Sequence, residues 1–223
     1  MHVIKAGLKT PDYLHCYNSL HCYNGARIGS GASLRLLFPS EIFYRGRADC
    51  MNHIDLREFI RNIPDIPKPG ILFKDITPLL LNPRAFDASI AKFADRYRDQ
   101  KIDCVVAAES RGFIFGAPLA LRLEAAFVPV RKPGKLPFTT HSHAYDLEYG
   151  SDTLEIHADA IQPGQRVLVI DDLLATGGTV QACLKLLENF EIDIVEFAFC
   201  VQLKALEGEK KLAPHKVFSL IEF

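Results

Sequence analysis

Hydrophobic positions from residue 84 onwards alternate between a helical and a strand-like spacing. Residues 84–100 predict an amphipathic helix, because apolar side chains recur at i, i+4, i+7, i+8 and i+11 from Phe86. A nearly continuous apolar run at 102–108 predicts a strand that is covered on both faces. The same patterns predict helices at 112–124 and 179–190 and strands at 127–132, 166–172, 193–203 and 217–223. This alternation indicates an α/β fold, a mainly parallel sheet flanked by helices, with 217–223 closing one edge.

Two segments depart from this alternation. Residues 54–63 predict a short helix, and the three prolines and the glycine of 64–70 would end it. Residues 133–150 are polar and show no sustained period, which suits a mobile lid that excludes water from a site.

The character of the chain changes at Met51. Residues 1–50 contain the repeat LHCYN at 14–18 and 20–24, and they show no sustained period apart from the short apolar run at 34–38. The His-Cys pairs of the repeat match no common zinc-finger spacing. We therefore expect 1–50 to be a poorly ordered N-terminal appendage and 51–223 to form the functional domain.

Composition narrows the class of protein. Of the 223 residues, 48% are hydrophobic and 24% charged, as in a globular protein, and the net charge of −1 argues against a general nucleic-acid binder. No stretch approaches the roughly 20 apolar residues of a membrane-spanning helix, and the first residues do not resemble a secretory signal. We expect a cytoplasmic protein that binds neither membrane nor nucleic acid and whose cysteines are reduced.

The most informative chemistry follows the predicted strand that begins at Arg166. Asp171 and Asp172 end this strand, and the sequence then runs LLATGGT into a predicted helix. Adjacent buried carboxylates need a hydrogen-bond donor or a cation, and sugar hydroxyls together with a metal ion supply both. A Thr- and Gly-rich loop at a helix N-terminus can wrap a phosphate with its backbone N–H groups. An ordinary strand–turn–helix with a capping residue explains fewer of these features.

The segment VLVIDDLLATGGT resembles the phosphoribosyl pyrophosphate-binding motif of type I phosphoribosyltransferases. The segments KPGILFKDITPLL, ESRGFIFGAPLA, VRKPGKLP and YDLEYGSDTLEIH resemble adenine phosphoribosyltransferases, in the order of that family, and together span essentially all of 51–223. The resemblance implies a parallel sheet with a small hood region and a lid loop. It also implies that the chain converts adenine and phosphoribosyl pyrophosphate to AMP and pyrophosphate.

The resemblance assigns residues to each part of the substrates. The ribose hydroxyls and the 5′-phosphate would be bound by Asp171, Asp172, Ala175, Thr176, Gly177, Gly178 and Thr179. Pyrophosphate would be bound by Ser110, Arg111, Arg131, Lys132 and Lys135, with a cis peptide at Glu109–Ser110. On spacing alone, the basic cluster at 131–135 is also compatible with a solvated charged face.

The base would stack on Phe73, and backbone groups of Leu72 and Lys74 would read its edge, although Phe73 is also compatible with core packing. Glu148 and Tyr149 in the lid, together with Arg111, are the expected catalytic residues. His141 and His143 are the alternative proton carriers, because the histidine pKa lies near neutrality.

Mg²⁺ is the expected cofactor, carried by the substrate's oxygens without direct protein ligands, although Asp171 and Asp172 could contact it through water. The resemblance also implies a homodimer. Two alternatives remain. One is a phosphoribosyltransferase for hypoxanthine, guanine or orotate. The other is a regulator that senses phosphoribosyl pyrophosphate, for which 1–50 would have to read DNA.

Overall fold

The computed structural model describes residues 54–147 and 150–223, so the predicted appendage at 1–50 lies outside the described residues. The strands are β1 Arg61–Pro64, β2 Leu72–Asp75, β3 Cys104–Ala108, β4 Ala126–Val130, β5 Thr140–Leu147, β6 Gly150–His157, β7 Arg166–Leu174, β8 Asp193–Gln202 and β9 Val217–Glu222. The α-helices are α1 Thr77–Leu81, α2 Pro83–Tyr97, α3 Gly112–Leu123 and α4 Gly178–Leu187. Short 3₁₀ turns lie at Leu56–Phe59, Lys204–Leu206 and Gly208–Leu212.

The centre of the fold is a five-stranded sheet with the order β4-β3-β7-β8-β9, in which every neighbouring pair is parallel. All five residues of β3 are buried, as expected for a parallel strand covered on both faces. The predicted α/β fold is therefore confirmed, and β9 closes one edge as expected.

Alternate residues of β3 enter two separate hydrophobic clusters. Val105 and Ala107 pack with the buried faces of α2 and α3, whereas Val106 packs with the buried face of α4. The chain goes from β3 to β4 on one side of the sheet and from β7 to β8 on the other, so the strand order reverses between β3 and β7. In open α/β sheets, ligands bind beyond the carboxyl ends of the strands at such a reversal.

Two antiparallel strand pairs lie outside this sheet. β1 pairs with β2, and β5 pairs with β6. The predicted helix at 54–63 is wrong beyond its first turn, because only Leu56–Phe59 is helical and Arg61–Pro64 pairs with Leu72–Asp75. A backbone partner distant in sequence overrides a weak helical period, and sequence spacing does not reveal such a partner.

The segment 133–150, predicted as an irregular polar lid, contains a regular strand, because β5 spans Thr140–Leu147. Residues of β6 supply the apolar side chains of this hairpin, with Leu154 and Ile156 both buried. β5 itself carries mostly polar side chains, which hid its strand period. Among the helices of the described residues, none combines the length and the hydropathy needed to cross a membrane.

Candidate active site

The turns that follow β3 and β7 meet at the reversal of strand order, because these two strands are neighbours and parallel. The turn after β3 contains the cis peptide Glu109–Ser110, at the expected position. Arg111 ends this turn at the N-cap position of α3. An alanine Cβ at Gly112 would lie only 2.9 Å from Asp171 Oδ1, so α3 begins directly against the acid pair.

The acid pair lies within β7, which continues to Leu174, and Asp172 is buried whereas Asp171 is partly buried. Asp172 is 3% exposed, and its backbone N–H donates to Asp171 Oδ1 at 2.8 Å. Burial raises the pKa of the Asp171 carboxyl well above its usual range, and the neighbouring charge of Asp172 adds to the rise. Burial also raises the pKa of Asp172, against the opposing effect of Arg111. A ligand that brings hydroxyl donors or positive charge would relieve this arrangement.

Arg111 links the two turns. Its Nε lies 2.9 Å from Asp172 Oδ2, and its side chain is 50% exposed. The guanidinium therefore has one edge on the acid pair and another open to solvent. A multiply charged anion could be bound at that open edge.

The cations of the cluster at 131–135 are each paired with an acid. Arg131 Nε donates to Glu109 Oε2 at 3.2 Å, and Lys135 Nζ forms an ion pair with Glu109 Oε1. Lys132 Nζ lies 2.9 Å from Asp152 Oδ2, on β6. This cluster is thus a folded network beside the turn after β3, rather than a row of independently solvated side chains.

Glu109 holds this network and is a residue that sequence reasoning did not assign to the site. Its side chain is only 11% exposed, and it also accepts the backbone N–H of Lys132 at 3.2 Å. The hydrogen bond from Lys135 is the main cause of the lowered pKa of Glu109. An acid directly before Ser110 and Arg111 was visible in the sequence, but nothing in the sequence indicated that it faces the cluster at 131–135.

The loop between β7 and α4 has the geometry of an anion site. Gly177 adopts φ +77° at the N-cap position, a conformation that side chains disfavour, and α4 begins at Gly178. The first N–H groups of a helix have no partner within the helix, so they are available to a phosphate. β5 packs against α4, and burial raises the pKa of its residue Tyr145, against the opposing effect of Thr179.

Leu72, Phe73 and Lys74 form most of β2. Phe73 is partly buried but belongs to neither hydrophobic cluster, so the alternative of core packing is not favoured. Leu72 lies opposite Pro64 in the β1–β2 pair. Because proline has no backbone N–H, Pro64 cannot donate a hydrogen bond to the backbone carbonyl of Leu72. The pKa of Asp75, which ends β2, is lowered mainly by hydrogen bonds from Thr77, with smaller effects of Arg61 and Arg111.

The expected lid residues, Glu148 and Tyr149, lie outside the described residues. His141 and His143 lie on β5, on the same face as Tyr145 because strand side chains alternate. The His141 ring packs edge-on to Phe190 with ring centres 5.5 Å apart. This face is therefore turned towards α4 and the residues that follow it.

Comparison with known proteins identifies the family to which the chain is similar. A family model described as the phosphoribosyl transferase domain matches residues 76–223, which include both turns of the site. The fold and the site thus define a phosphoribosyltransferase.

Relatives and solved structures narrow the class further. The adenine phosphoribosyltransferase of Rhodopirellula baltica is 63% identical over 171 residues, covering 77% of this chain and 83% of that protein. The crystal structure of adenine phosphoribosyltransferase from Thermoanaerobacter pseudethanolicus superposes with a TM-score of 0.72 at 53% identity, covering 75% of this chain and 98% of that one. The Saccharomyces cerevisiae enzyme, complexed with adenine and an imino-altritol bisphosphate, gives a TM-score of 0.71 at 40% identity, covering 78% and 99%. The chain belongs to the adenine phosphoribosyltransferase family.

Proposed function

We propose that this chain transfers the 5-phosphoribosyl group of phosphoribosyl pyrophosphate to adenine, giving AMP and pyrophosphate, as a glycosyltransferase of purine salvage. The observation that carries the proposal is the meeting of two turns at the reversal of strand order. One turn presents the acid pair, of which Asp172 is buried, followed by a loop suited to an anion, and the other presents Ser110 and Arg111. This combination suits a ribose that carries a phosphate at one end and a pyrophosphate at the other.

The ribose and its 5′-phosphate occupy the end of β7 and the loop after it. Asp171 and Asp172 accept hydrogen bonds from the ribose hydroxyls, which relieves the burial of their charge. The phosphate is bound by the loop residues Ala175, Thr176, Gly177, Gly178 and Thr179. Backbone N–H groups at the start of α4 donate to it, and its negative charge interacts favourably with the helix dipole.

Pyrophosphate occupies the space beside the turn after β3. Ser110 and Arg111 bind it from that turn, and Arg131, Lys132 and Lys135 supply further positive charge. The ion pairs with Glu109 and Asp152 hold these cations close together before the substrate arrives. Charge that is already in position stabilises the leaving group without reorganisation during the reaction.

Adenine occupies the β1–β2 side of the site. Its ring stacks on Phe73, and backbone groups of Leu72 and Lys74 read the edge that carries the 6-amino group. An amino group donates a hydrogen bond where a 6-oxo group accepts one, so a fixed carbonyl selects adenine over hypoxanthine. The side chain of Lys74 is engaged elsewhere, with its Nζ 2.8 Å from Asn62 Oδ1, which leaves backbone recognition as its contribution.

In the reaction, N9 of adenine forms a bond to C1 of the ribose while the bond from C1 to the pyrophosphate oxygen breaks. Catalysis by this chain is mainly positioning and stabilisation of charge, since the transition state resembles an oxocarbenium ion. The electron pair of the broken bond leaves on pyrophosphate, beside Arg111. Glu148 is proposed to take up the proton that adenine loses, and Tyr149 is the second proposed catalytic residue of the same segment.

The residues of the site fit a magnesium ion that arrives on the substrate. In the described part of the chain, no group of three or more His, Cys, Asp or Glu side chains is arranged to hold a metal ion. Asp171 and Asp172 at the end of β7 would hold such an ion through its bound waters. When bound, Mg²⁺ offsets the negative charge of the pyrophosphate.

We further propose a cytoplasmic homodimer. An apolar stripe on α3 supports the dimer, because Ile114 and Leu121 lie two turns apart on one helix face and are 36% and 82% exposed. Leu121→Lys should therefore shift the protein from dimer to monomer in light scattering. The control Arg122→Ala removes an exposed ion pair on the same helix and should leave the dimer intact.

A panel of bases tests the proposed specificity. Purified protein, Mg²⁺ and phosphoribosyl pyrophosphate are incubated separately with adenine, hypoxanthine, guanine and orotate, and the nucleotide products are quantified. We expect AMP to be the main product. A preference for a 6-oxopurine or for orotate would refute the assignment of adenine, and absence of any nucleotide would favour the regulator.

A further inference from the structure

The loop that would bind the 5′-phosphate rests on a glycine that lies outside its motif. Gly208 is buried at the start of the turn Gly208–Leu212. A Cβ on Gly208 would lie 2.2 Å from the carbonyl oxygen of Ala175 and 3.0 Å from the backbone nitrogen of Gly177. In the opposite direction, a Cβ on Gly177 would lie 2.6 Å from the carbonyl oxygen of Gly208. The two backbones are therefore in direct contact, with no space for a side chain on either.

The segment that carries Gly208 is held from both ends. Before it, the Leu203 N–H donates to the carbonyl of Leu174, the last residue of β7, at 2.9 Å. After it, Leu212 is fully buried in the hydrophobic cluster that includes α4. Beside it, Gln202 Nε2 donates to Glu209 Oε2 at 2.9 Å, and Gln202 itself is only 2% exposed.

We propose that Gly208 is a positioning residue for the 5′-phosphate site. It acts as a backbone support that sets the direction of the N–H groups in Ala175–Gly177. This inference rests on the proposed function for the identity of the anion. It adds a residue from the segment between β8 and β9 to a site otherwise formed by the β7–α4 loop.

The physical consequence follows from the 2.2 Å approach. A methyl group at this distance from a carbonyl oxygen lies far inside van der Waals contact. Gly208→Ala must therefore displace the loop Ala175–Gly177, the turn Gly208–Leu212 or both. Displaced N–H groups no longer point at the phosphate. The β1–β2 pair takes no part in this contact, so the adenine site should be unaffected.

The first experiment measures initial rates for the wild type, Gly208→Ala and Gly164→Ala. Gly164 has φ +81° and nothing within 4 Å of an added Cβ, so its substitution reports the effect of a strained glycine away from the loop. We expect Gly208→Ala to raise KM for phosphoribosyl pyrophosphate by about tenfold or more and to leave KM for adenine unchanged. Gly164→Ala should leave both values unchanged. An unchanged KM for phosphoribosyl pyrophosphate in Gly208→Ala, or an equal rise in both KM values, would overturn the inference.

Calorimetric titration with ribose 5-phosphate separates this inference from the proposed function. If the wild type binds ribose 5-phosphate and Gly208→Ala binds it about tenfold more weakly, the support role holds even if no AMP is formed. If the wild type forms AMP and the two proteins bind ribose 5-phosphate equally, the proposed function stands and the support role is wrong.

A second pair of variants covers the case in which Gly208→Ala does not fold. Glu209→Ala removes the hydrogen bond from Gln202 while keeping the glycine, and Lys211→Ala is an exposed control in the same turn. Because Glu209→Ala loses one hydrogen bond beside Gly208, it should raise KM for phosphoribosyl pyrophosphate by about threefold. The Lys211→Ala value should equal the wild type. Equal values for Glu209→Ala and Lys211→Ala would overturn the inference.

Discussion

Arg111 and Asp172 form an ion pair, with Arg111 Nε 2.9 Å from Asp172 Oδ2, that joins the turn after β3 to the acid pair of β7. The carboxylate is almost fully buried, whereas half of the arginine side chain remains exposed. One side chain thus compensates a buried charge and also faces the space proposed for pyrophosphate. This pair would therefore couple the proposed ribose and pyrophosphate parts of the site.

Arg111→Gln should raise KM for phosphoribosyl pyrophosphate and lower kcat, for a combined loss in kcat/KM of about a hundredfold or more. The variant loses a charge at the leaving group and leaves Asp172 without its cation. Arg122→Gln on the same helix is the matched control, since Arg122 also pairs with an acid but away from the site. Equal kcat/KM values for the two variants would contradict the role of Arg111.

Asp172→Asn should abolish most of the turnover while the fold is retained. The neutral amide keeps the shape of the side chain, and burial already disfavours the charged carboxylate, so we expect no loss in thermal midpoint. Steady-state rates and thermal unfolding of wild type and variant check both statements. AMP synthesis at the wild-type rate would rule out the proposed ribose site.

The pKa of Asp171 predicts a pH dependence of stability. A carboxyl whose pKa is raised in the folded state holds its proton more tightly when folded, so its cost to stability grows as the pH rises from about 4 to the folded pKa and stays constant above it. Asp171→Asn removes this cost. The variant should therefore be more stable than the wild type at neutral pH, and the difference should shrink as the pH falls towards about 4.

Chemical unfolding of both proteins over this pH range measures the difference. The acids with lowered pKa values, such as Glu109 and Asp152, are present in both proteins and lose their contribution at low pH in both. Parallel stability profiles would show that the pKa of Asp171 is not raised in the folded protein.

Glu109→Ala should raise KM for phosphoribosyl pyrophosphate by about tenfold without changing KM for adenine. Without the carboxylate, Arg131 and Lys135 lose the group on which they converge and spread apart. Glu188→Ala, which removes an exposed acid paired with Lys185, serves as the control. Tighter inhibition by pyrophosphate in Glu109→Ala would instead show that Glu109 competes with the ligand for these cations.

A chain that starts at Met51 should keep the thermal midpoint and the adenine turnover of the full chain. This prediction comes from the sequence alone, in which the recognisable functional segments follow Met51 and the repeat precedes it. A large loss of either property in the shortened chain would mean that 1–50 supports the domain or its site.

The parallel sheet could be predicted because its strands are buried on both faces and therefore read as apolar runs, as at 102–108. The acid pair and the loop after it could be predicted because they are contiguous in sequence and follow such a run. Contacts between distant segments could not be predicted in this way. Pairing of β1 with β2 replaced a predicted helix, and the polar β5 became visible only through its partner β6.

The same limit applies to the site. Glu109 reaches Arg131 and Lys135 only because β3 and β4 are neighbours in the sheet. Gly208 reaches Ala175 only because β8 lies beside β7 and the chain turns back at its end. Neither contact follows a local sequence pattern. The motifs therefore point to residues expected to bind ligand directly, whereas the structure adds residues that contact those residues.

The most direct test of the account is the stoichiometry of the reaction in two proteins. Adenine and phosphoribosyl pyrophosphate are incubated with Mg²⁺ and either the wild type or Asp172→Asn, and AMP and pyrophosphate are quantified by chromatography. We predict that the wild type forms the two products in equal amounts and that folded Asp172→Asn forms almost none. Pyrophosphate released without AMP, or equal AMP formation by both proteins, would contradict transfer to adenine at the acid pair.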